Sequence, residues 1–253
     1  MPLEHLHADR DRAESFGSTA EAYDQFRPGY PGALFDELLA THVRSALDVG
    51  CGTGKVALDL SRRGVRTLGI DPDRRMAAVA RRHGVDVELG RFESWDDAGR
   101  RFDLITCGHA WHWIDPETGP ARAARLLEPG GRIARFWNYH VVPAALRGEF
   151  ESIYAELAPT VTVIGRDPSG DVDAPDPFGT HSAFTTAPPR TYRWQRRMAF
   201  AQWAGLVTTF GDHRRLGPAR LGRLTSALRD AIQRHGGVVD VAGGTYLLLA
   251  ERV

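Results

Sequence analysis

Ser45-Ala-Leu-Asp-Val-Gly-Cys-Gly-Thr-Gly-Lys55 is an apolar strand that breaks into a glycine-rich turn and continues as a helix. The helix, Lys55 to Arg63, mixes Val56, Leu58 and Leu60 with polar residues, and Gly64 stands where a helix stop belongs. Val65 to Ile70 reads as the next strand and ends at Asp71-Pro72. Asp73 to His83 carries Met76, Val79 and Ala80 at helical spacing and closes at Gly84. Val85 to Leu89 alternates apolar and polar residues, as a half-buried edge strand does. Phe102 to Cys107 and Arg132 to Trp137 read as a fourth and a fifth strand, with a helix ending at Leu127 between them. Strand alternating with helix predicts a mostly parallel α/β sheet with helices on both faces.

Further out the pattern is less regular. Val141 to Leu157 reads as a helix. The stretch from Ile164 to Pro189 is rich in Pro, Gly, Asp and Thr; a loop of that length is either a lid or disordered. Arg190 to Gln195 is strand-like, Phe200 to Phe210 and Pro218 to His235 read as helices, and Gly244 to Glu251 as a last buried strand. The chain is thus expected to return to its sheet and to form one domain over residues 1–253.

The chain has 253 residues, 42% hydrophobic and 25% charged, which suits a globular protein with a sizeable core. Lys+Arg and Asp+Glu number 32 each, so the net charge is zero and the basic excess of a nucleic-acid binder is missing. Cys51 and Cys107 form no CxxC pair, which points to reduced thiols in a cytoplasmic setting. The charged start has no apolar centre, so a signal peptide is not expected. No apolar run approaches the ~20 residues that span a bilayer, so no membrane partner is expected. Nothing in the pattern sets an oligomeric state.

Glycines after a strand let a ligand approach the backbone at the carboxyl edge of the sheet. Asp71 ends the next strand about 20 residues later, where a carboxylate accepts both hydroxyls of a ribose. Together they predict a nucleoside ligand; the plainer alternative is a tight turn beside a solvated acid. A dinucleotide site uses G-x-G-x-x-G, whereas Gly50, Gly52 and Gly54 follow G-x-G-x-G behind Asp48. A carboxylate there repels pyrophosphate and suits the ammonium of a methionine moiety.

This Asp-x-Gly-x-Gly-x-Gly run resembles motif I of the class I S-adenosylmethionine-dependent methyltransferases. Leu68 to Met76, Phe102 to Trp113 and Leu127 to Ile133 are similar to the family's later motifs. Phe16 to Tyr23, Arg27 to Pro31, Phe210 to His213 and Tyr246 to Ala250 resemble its type 11 small-molecule branch. The resemblance implies a Rossmann-like, doubly wound, seven-stranded sheet with a helical N-terminal segment and a cap or lid insertion. Its parts would be a lead-in over 1–44, a cofactor-binding core over 45–138, a cap and lid over 139–189, and returning strands and helices over 190–253. The implied cofactor is S-adenosyl-L-methionine, held by Asp48, Gly50, Cys51, Gly52, Gly54, Asp71, Pro72, Met76 and Cys107. Tyr23 and Arg27 would come from a helix folded over it, Arg27 meeting the methionine carboxylate; the alternative is a surface Arg in a Pro-rich linker. Many relatives carry Asp at the position of Arg91, and Arg cannot accept from the adenine amine, which leaves Phe92, Glu93 or backbone groups for that contact.

The acceptor end is read from the residues. His109 and His112 follow the fourth strand and His140 the fifth, at the edge where an acceptor would lie. Histidine has the pKa of a general base for an oxygen or nitrogen acceptor; for any one of the three the alternative is a satisfied structural histidine. Trp111, Trp113, Trp137 and Tyr139 suggest an aromatic acceptor pocket, some of them being core. No metal ligand set is present, and the Asn-Pro-Pro-Tyr run used on nucleic-acid bases is absent. The expected activity is methyl transfer to O, N or C of a small molecule, with secondary metabolism as one setting. The competing readings are a protein that binds the cofactor without turnover and a nicotinamide-dependent oxidoreductase.

Overall fold

Strand β1 (Ser45–Val49) is buried along its whole length and lies between two parallel neighbours, β2 (Arg66–Asp71) and β4 (Phe102–Gly108). The computed structural model describes residues 7–9, 16–165 and 176–253. β3 (Asp86–Leu89) adds to β2 in parallel and forms the expected edge. β5 (Leu127–Val141) adds to β4 in parallel, and β8 (Val238–Arg252) runs antiparallel to β5. β6 (Phe184–Thr186) and β7 (Arg190–Ala199) pair with successive stretches of the far edge of β8. Eight strands therefore fill seven positions, in the order β3-β2-β1-β4-β5-β8 and then β6 with β7. The mostly parallel α/β expectation holds. β5 and β8 are longer than their sequence signals, because each stays paired with the other past the apolar stretch.

The helices α3 (Lys55–Arg62), α4 (Arg74–Arg82) and α5 (Gly119–Leu126) connect the parallel strands. Alternation along the strands fills both faces. Leu47, Val49, Ile105, Cys107 and Ile133 pack on one side, with Trp111 and Phe178. Ala46, Leu104, Ala134 and Phe136 pack on the other, against Leu34, Phe35 and Leu38 of α2 (Gly32–Leu38). A further apolar cluster joins α6 (Ala144–Leu157), α7 (Phe200–Thr208) and α9 (Gly217–Arg234), with Tyr154 and Trp203 at its centre.

Helix α1 (Ala20–Phe26) lies across the carboxyl edge of the sheet. Asp24 ties it to α3 through Lys55 at 3.3 Å and to the end of α4 through His83 at 2.9 Å. Gly17 N–H donates to the Asp73 carboxylate at 2.9 Å, and a Cβ at residue 17 would collide with that group. Asp73 also caps α4 by accepting from Arg75 and Met76.

The stretch expected to form a lid is only partly described. Residues 166–175 lie outside the described residues, and those after them are not short of apolar surface to bury. Phe178 is fully buried against Trp111, with ring centroids 4.9 Å apart, and Phe184 begins β6. Two phenylalanines within seven residues anchor this stretch to the sheet edge. No helix of the described residues is long and apolar enough to cross a membrane.

Candidate active site

The turn after β1 takes left-handed backbone at Gly50 (φ 63°) and Gly54 (φ 84°). At both, a side chain would also collide: a Cβ on Gly50 would stand 2.5 Å from the Ala110 Cβ, and one on Gly54 2.9 Å from the Ala80 Cβ. Asp71 at the end of β2 holds the turn, accepting Gly52 N–H on Oδ2 and Asp73 N–H on Oδ1, both at 2.8 Å. Each carboxylate oxygen keeps lone-pair capacity for a further donor. Burial raises the Asp71 pKa to about 6.

Asp48 is buried, and its Oδ1 accepts the Thr106 hydroxyl at 2.8 Å while Oδ2 has no partner. Burial, with the charge of Asp71 adding to it, raises its pKa to about 7. An orphaned buried carboxylate oxygen beside a glycine turn fits a cationic amine. Because this carboxyl is raised, not lowered, the ionised form that attracts the amine gains as pH rises through 7 and is lost below it.

Two adjoining cavities lie over this edge. The larger, about 230 Å³, is lined on one side by Asp71, Pro72, Met76, Phe92 and Glu93. Its other side carries His112, Trp113, Phe210 and Gly211. The smaller, about 40 Å³, is lined by Asp48, Cys51, Thr53, Asn138 and His140 among others. Tyr23, Arg27, Gly50, Gly52 and His109 line both. The structure thus brings together the residues named from sequence, with two exceptions. Gly54 caps α3 and lines neither cavity. Cys107 is buried in the apolar layer with Trp111, because strand alternation turns it away from the face of Thr106 and Gly108.

The aromatic wall also differs from expectation. Trp111 is buried against Phe92 and Phe178, Trp137 stacks on Tyr246 at 4.5 Å, and Tyr139 lies over Gly244. Of the four aromatics only Trp113 lines the larger cavity. Glu93 Oε1 accepts Asp115 N–H at 3.0 Å, and Arg91 is exposed at the cavity rim. His140 packs edge-on to Trp194 at 5.2 Å, and burial lowers its pKa to about 4. Tyr30, Asn138, Phe210 and Gly211 were not foreseen individually. Tyr30 lies in the run from Arg27 to Pro31, and Phe210 and Gly211 in the run from Phe210 to His213, both noted for their resemblance to the type 11 branch; Asn138 carried no signal.

Fold and site fit the class of S-adenosylmethionine-dependent methyltransferases, and similarity to known proteins agrees. A family model described as a methyltransferase domain matches residues 46–131. An uncharacterized methyltransferase of Mycobacterium tuberculosis is 37% identical over 176 residues, 68% of either chain. A ubiquinone biosynthesis O-methyltransferase of Alkalilimnicola ehrlichii is 37% identical over 98 residues, 36% of this chain and 40% of that one. A solved structure from Anaeromyxobacter dehalogenans, described as a candidate type II methyltransferase, matches with TM-score 0.68 and 24% identity over 88% of this chain and 97% of that one. The chain belongs to the S-adenosylmethionine-dependent methyltransferase family.

Proposed function

We propose that the protein methylates a small molecule at an oxygen or nitrogen whose proton His112 removes. The roof of the cavity carries this reading. Tyr23 and Arg27 from the α1 segment, with Phe210 and Gly211 from the start of α8 (Gly211–Arg215), close over the histidine wall. The chamber they leave suits a metabolite-sized ligand and not a duplex or a folded protein. The partial match to an O-methyltransferase favours oxygen as the acceptor atom.

When bound, the cofactor supplies an electrophilic methyl on a sulfonium. The chain's own residues do the rest. Asp71 accepts the ribose hydroxyls, Asp48 meets the ammonium, and Met76 and Phe92 pack beside the adenine. Tyr23, Trp113 and Phe210 exclude water from the acceptor side, which favours an in-line displacement. Incubation with radiolabelled S-adenosylmethionine and fractionated cell extract tests the substrate class. Label is expected in the small-molecule fraction; label confined to RNA or protein would refute it.

A second outcome concerns protons. With the Asp48 pKa raised by burial to about 7, part of these carboxyls are protonated at neutral pH, and a bound ammonium should draw them to the ionised form. Cofactor binding should then release protons near neutral pH, read by calorimetry in buffers of different ionisation enthalpy. Asp48→Asn should remove that release. The same release from the variant would place the titrating group elsewhere.

A further inference from the structure

Resting on the reading of this cavity as a methyltransferase site, we propose that the buried pair Tyr154–His213 is a latch that fixes Phe210 and Gly211 over the acceptor. It sets acceptor affinity from outside, since neither Tyr154 nor His213 lines either cavity. Both are positioning residues.

The roof segment cannot hold its own shape. Helix α8 has five residues, far below the ~12–15 at which an isolated helix becomes stable. At the surface, Arg214 donates to Ser18 Oγ, and Arg215 pairs with Asp9 at 2.6 Å. Exposed contacts of this kind contribute little. His213 makes the buried contact: its Nε2 lies 2.7 Å from the Tyr154 hydroxyl, and both residues are 2% exposed.

The bond has a defined direction. The Tyr154 hydroxyl oxygen accepts the Ile164 N–H, which leaves its own proton for His213 Nε2. A ring nitrogen that accepts carries no proton, so the neutral imidazole keeps its proton on Nδ1. Burial lowers the His213 pKa to about 4, which leaves the ring neutral at pH 7. Nδ1 is itself buried and has no partner among the described residues. A buried donor left unpaired is destabilising, and an apolar side chain would fill the same space without it. Packing alone therefore does not account for a histidine here, and the bond to Tyr154 does.

The latch joins the roof to the sheet. Tyr154 stands on α6, which follows β5. Ile164 precedes Gly165, whose carbonyl accepts the Val142 N–H at 3.0 Å just past the end of β5. On its other side His213 packs beside Phe210, with ring centroids 5.7 Å apart. Phe210 and Gly211 line the larger cavity. The roof is thereby set against the strand that carries His140. Arg27 stacks on Phe210 at 3.8 Å but keeps an anchor of its own. It donates to Thr209 Oγ1 at 2.8 Å, and the Thr209 hydroxyl donates to Leu206 O at 2.6 Å. The cofactor side of the roof is thus held without the latch.

Three variants test it. Tyr154→Phe and His213→Leu break the bond and keep most of the packing; His213→Gln keeps an acceptor for the Tyr154 hydroxyl. Melting curves verify the fold, and Tyr154→Phe, the smaller change, carries the test if His213→Leu does not fold. The probe is the small-molecule fraction of cell extract, titrated at saturating labelled S-adenosylmethionine. The two bond-breaking variants are expected to need about tenfold more of that fraction for half-maximal labelling. Their plateau rate, and their affinity for S-adenosylhomocysteine by calorimetry, should stay within about threefold of the parent values. His213→Gln should recover most of the loss. Hydrogen exchange from Phe210 to Leu216 should quicken in the bond-breaking variants and not in His213→Gln. A lower melting temperature with an unchanged half-maximal amount would make the pair merely structural and overturn the proposal. So would an equal loss of S-adenosylhomocysteine affinity, or a His213→Gln protein as impaired as His213→Leu. If the parent labels no small molecule, the methyltransferase reading fails instead, and hydrogen exchange alone decides whether the pair holds α8.

Discussion

His112→Gln should lower the rate of methyl transfer by about 10²–10⁴-fold while leaving cofactor affinity and melting temperature close to the parent values. His112 sits at the centre of the short 3-10 turn Trp111–Trp113. The turn is anchored from below by Trp111, whose ring packs against Phe178. Successive residues of such a turn point about 120° apart. With Trp111 committed to the core, His112 and Trp113 both face the cavity, their rings 4.7 Å apart. The other two histidines are less suited to the work. His109 has its accepting nitrogen occupied by Asn138, and His140, with a pKa of about 4, is a weak base. The measurement is a single-turnover rate with an acceptor found by the extract labelling. A folded variant with the parent rate would mean that alignment and desolvation suffice, as they do for a carbon or already ionised acceptor.

Asp71→Ala should raise the dissociation constant for S-adenosylhomocysteine about tenfold or more, since hydrogen bonds to a charged group contribute roughly 1.5–3 kcal/mol. It should also lower the melting temperature. Gly52 N–H and Asp73 N–H both lose their acceptor, at about 1–3 kcal/mol for each donor left buried and unpaired. Titration calorimetry and a melting scan read the two effects separately. Weakened binding without a melting change would show that water replaces the carboxylate at both amides. An unchanged dissociation constant would show that the ribose lies elsewhere.

The strand, glycine turn and acid on which the nucleoside reading rests were legible because their code is short-range. A strand, three glycines, a helix and an acid at the next strand end lie within about 30 residues, and each sits where its own backbone geometry requires it. The helix from Asp73 was legible too, but that Asp73 caps it while also accepting Gly17 N–H was seen only in the fold. Cys107, named from sequence with the cofactor residues, lines neither cavity; period two along β4, with Thr106 on the face of Asp48, accounts for this.

The acceptor half depended on contacts that span the chain. Arg27 meets Thr209, 182 residues away, and Asn138 meets Gly29, 109 away. Local propensity places those residues on their elements but does not choose their partners. Whether His109 is a base or a donor depends on one main-chain N–H of β5, and every strand residue but proline offers the same group. The rotation of the Trp111–Trp113 turn is decided by Phe178, on a segment whose composition suggested a loop. Two aromatic rings burying each other outweigh the turn-forming residues around them, and that contact exists only once the chain has returned to the far edge of β8.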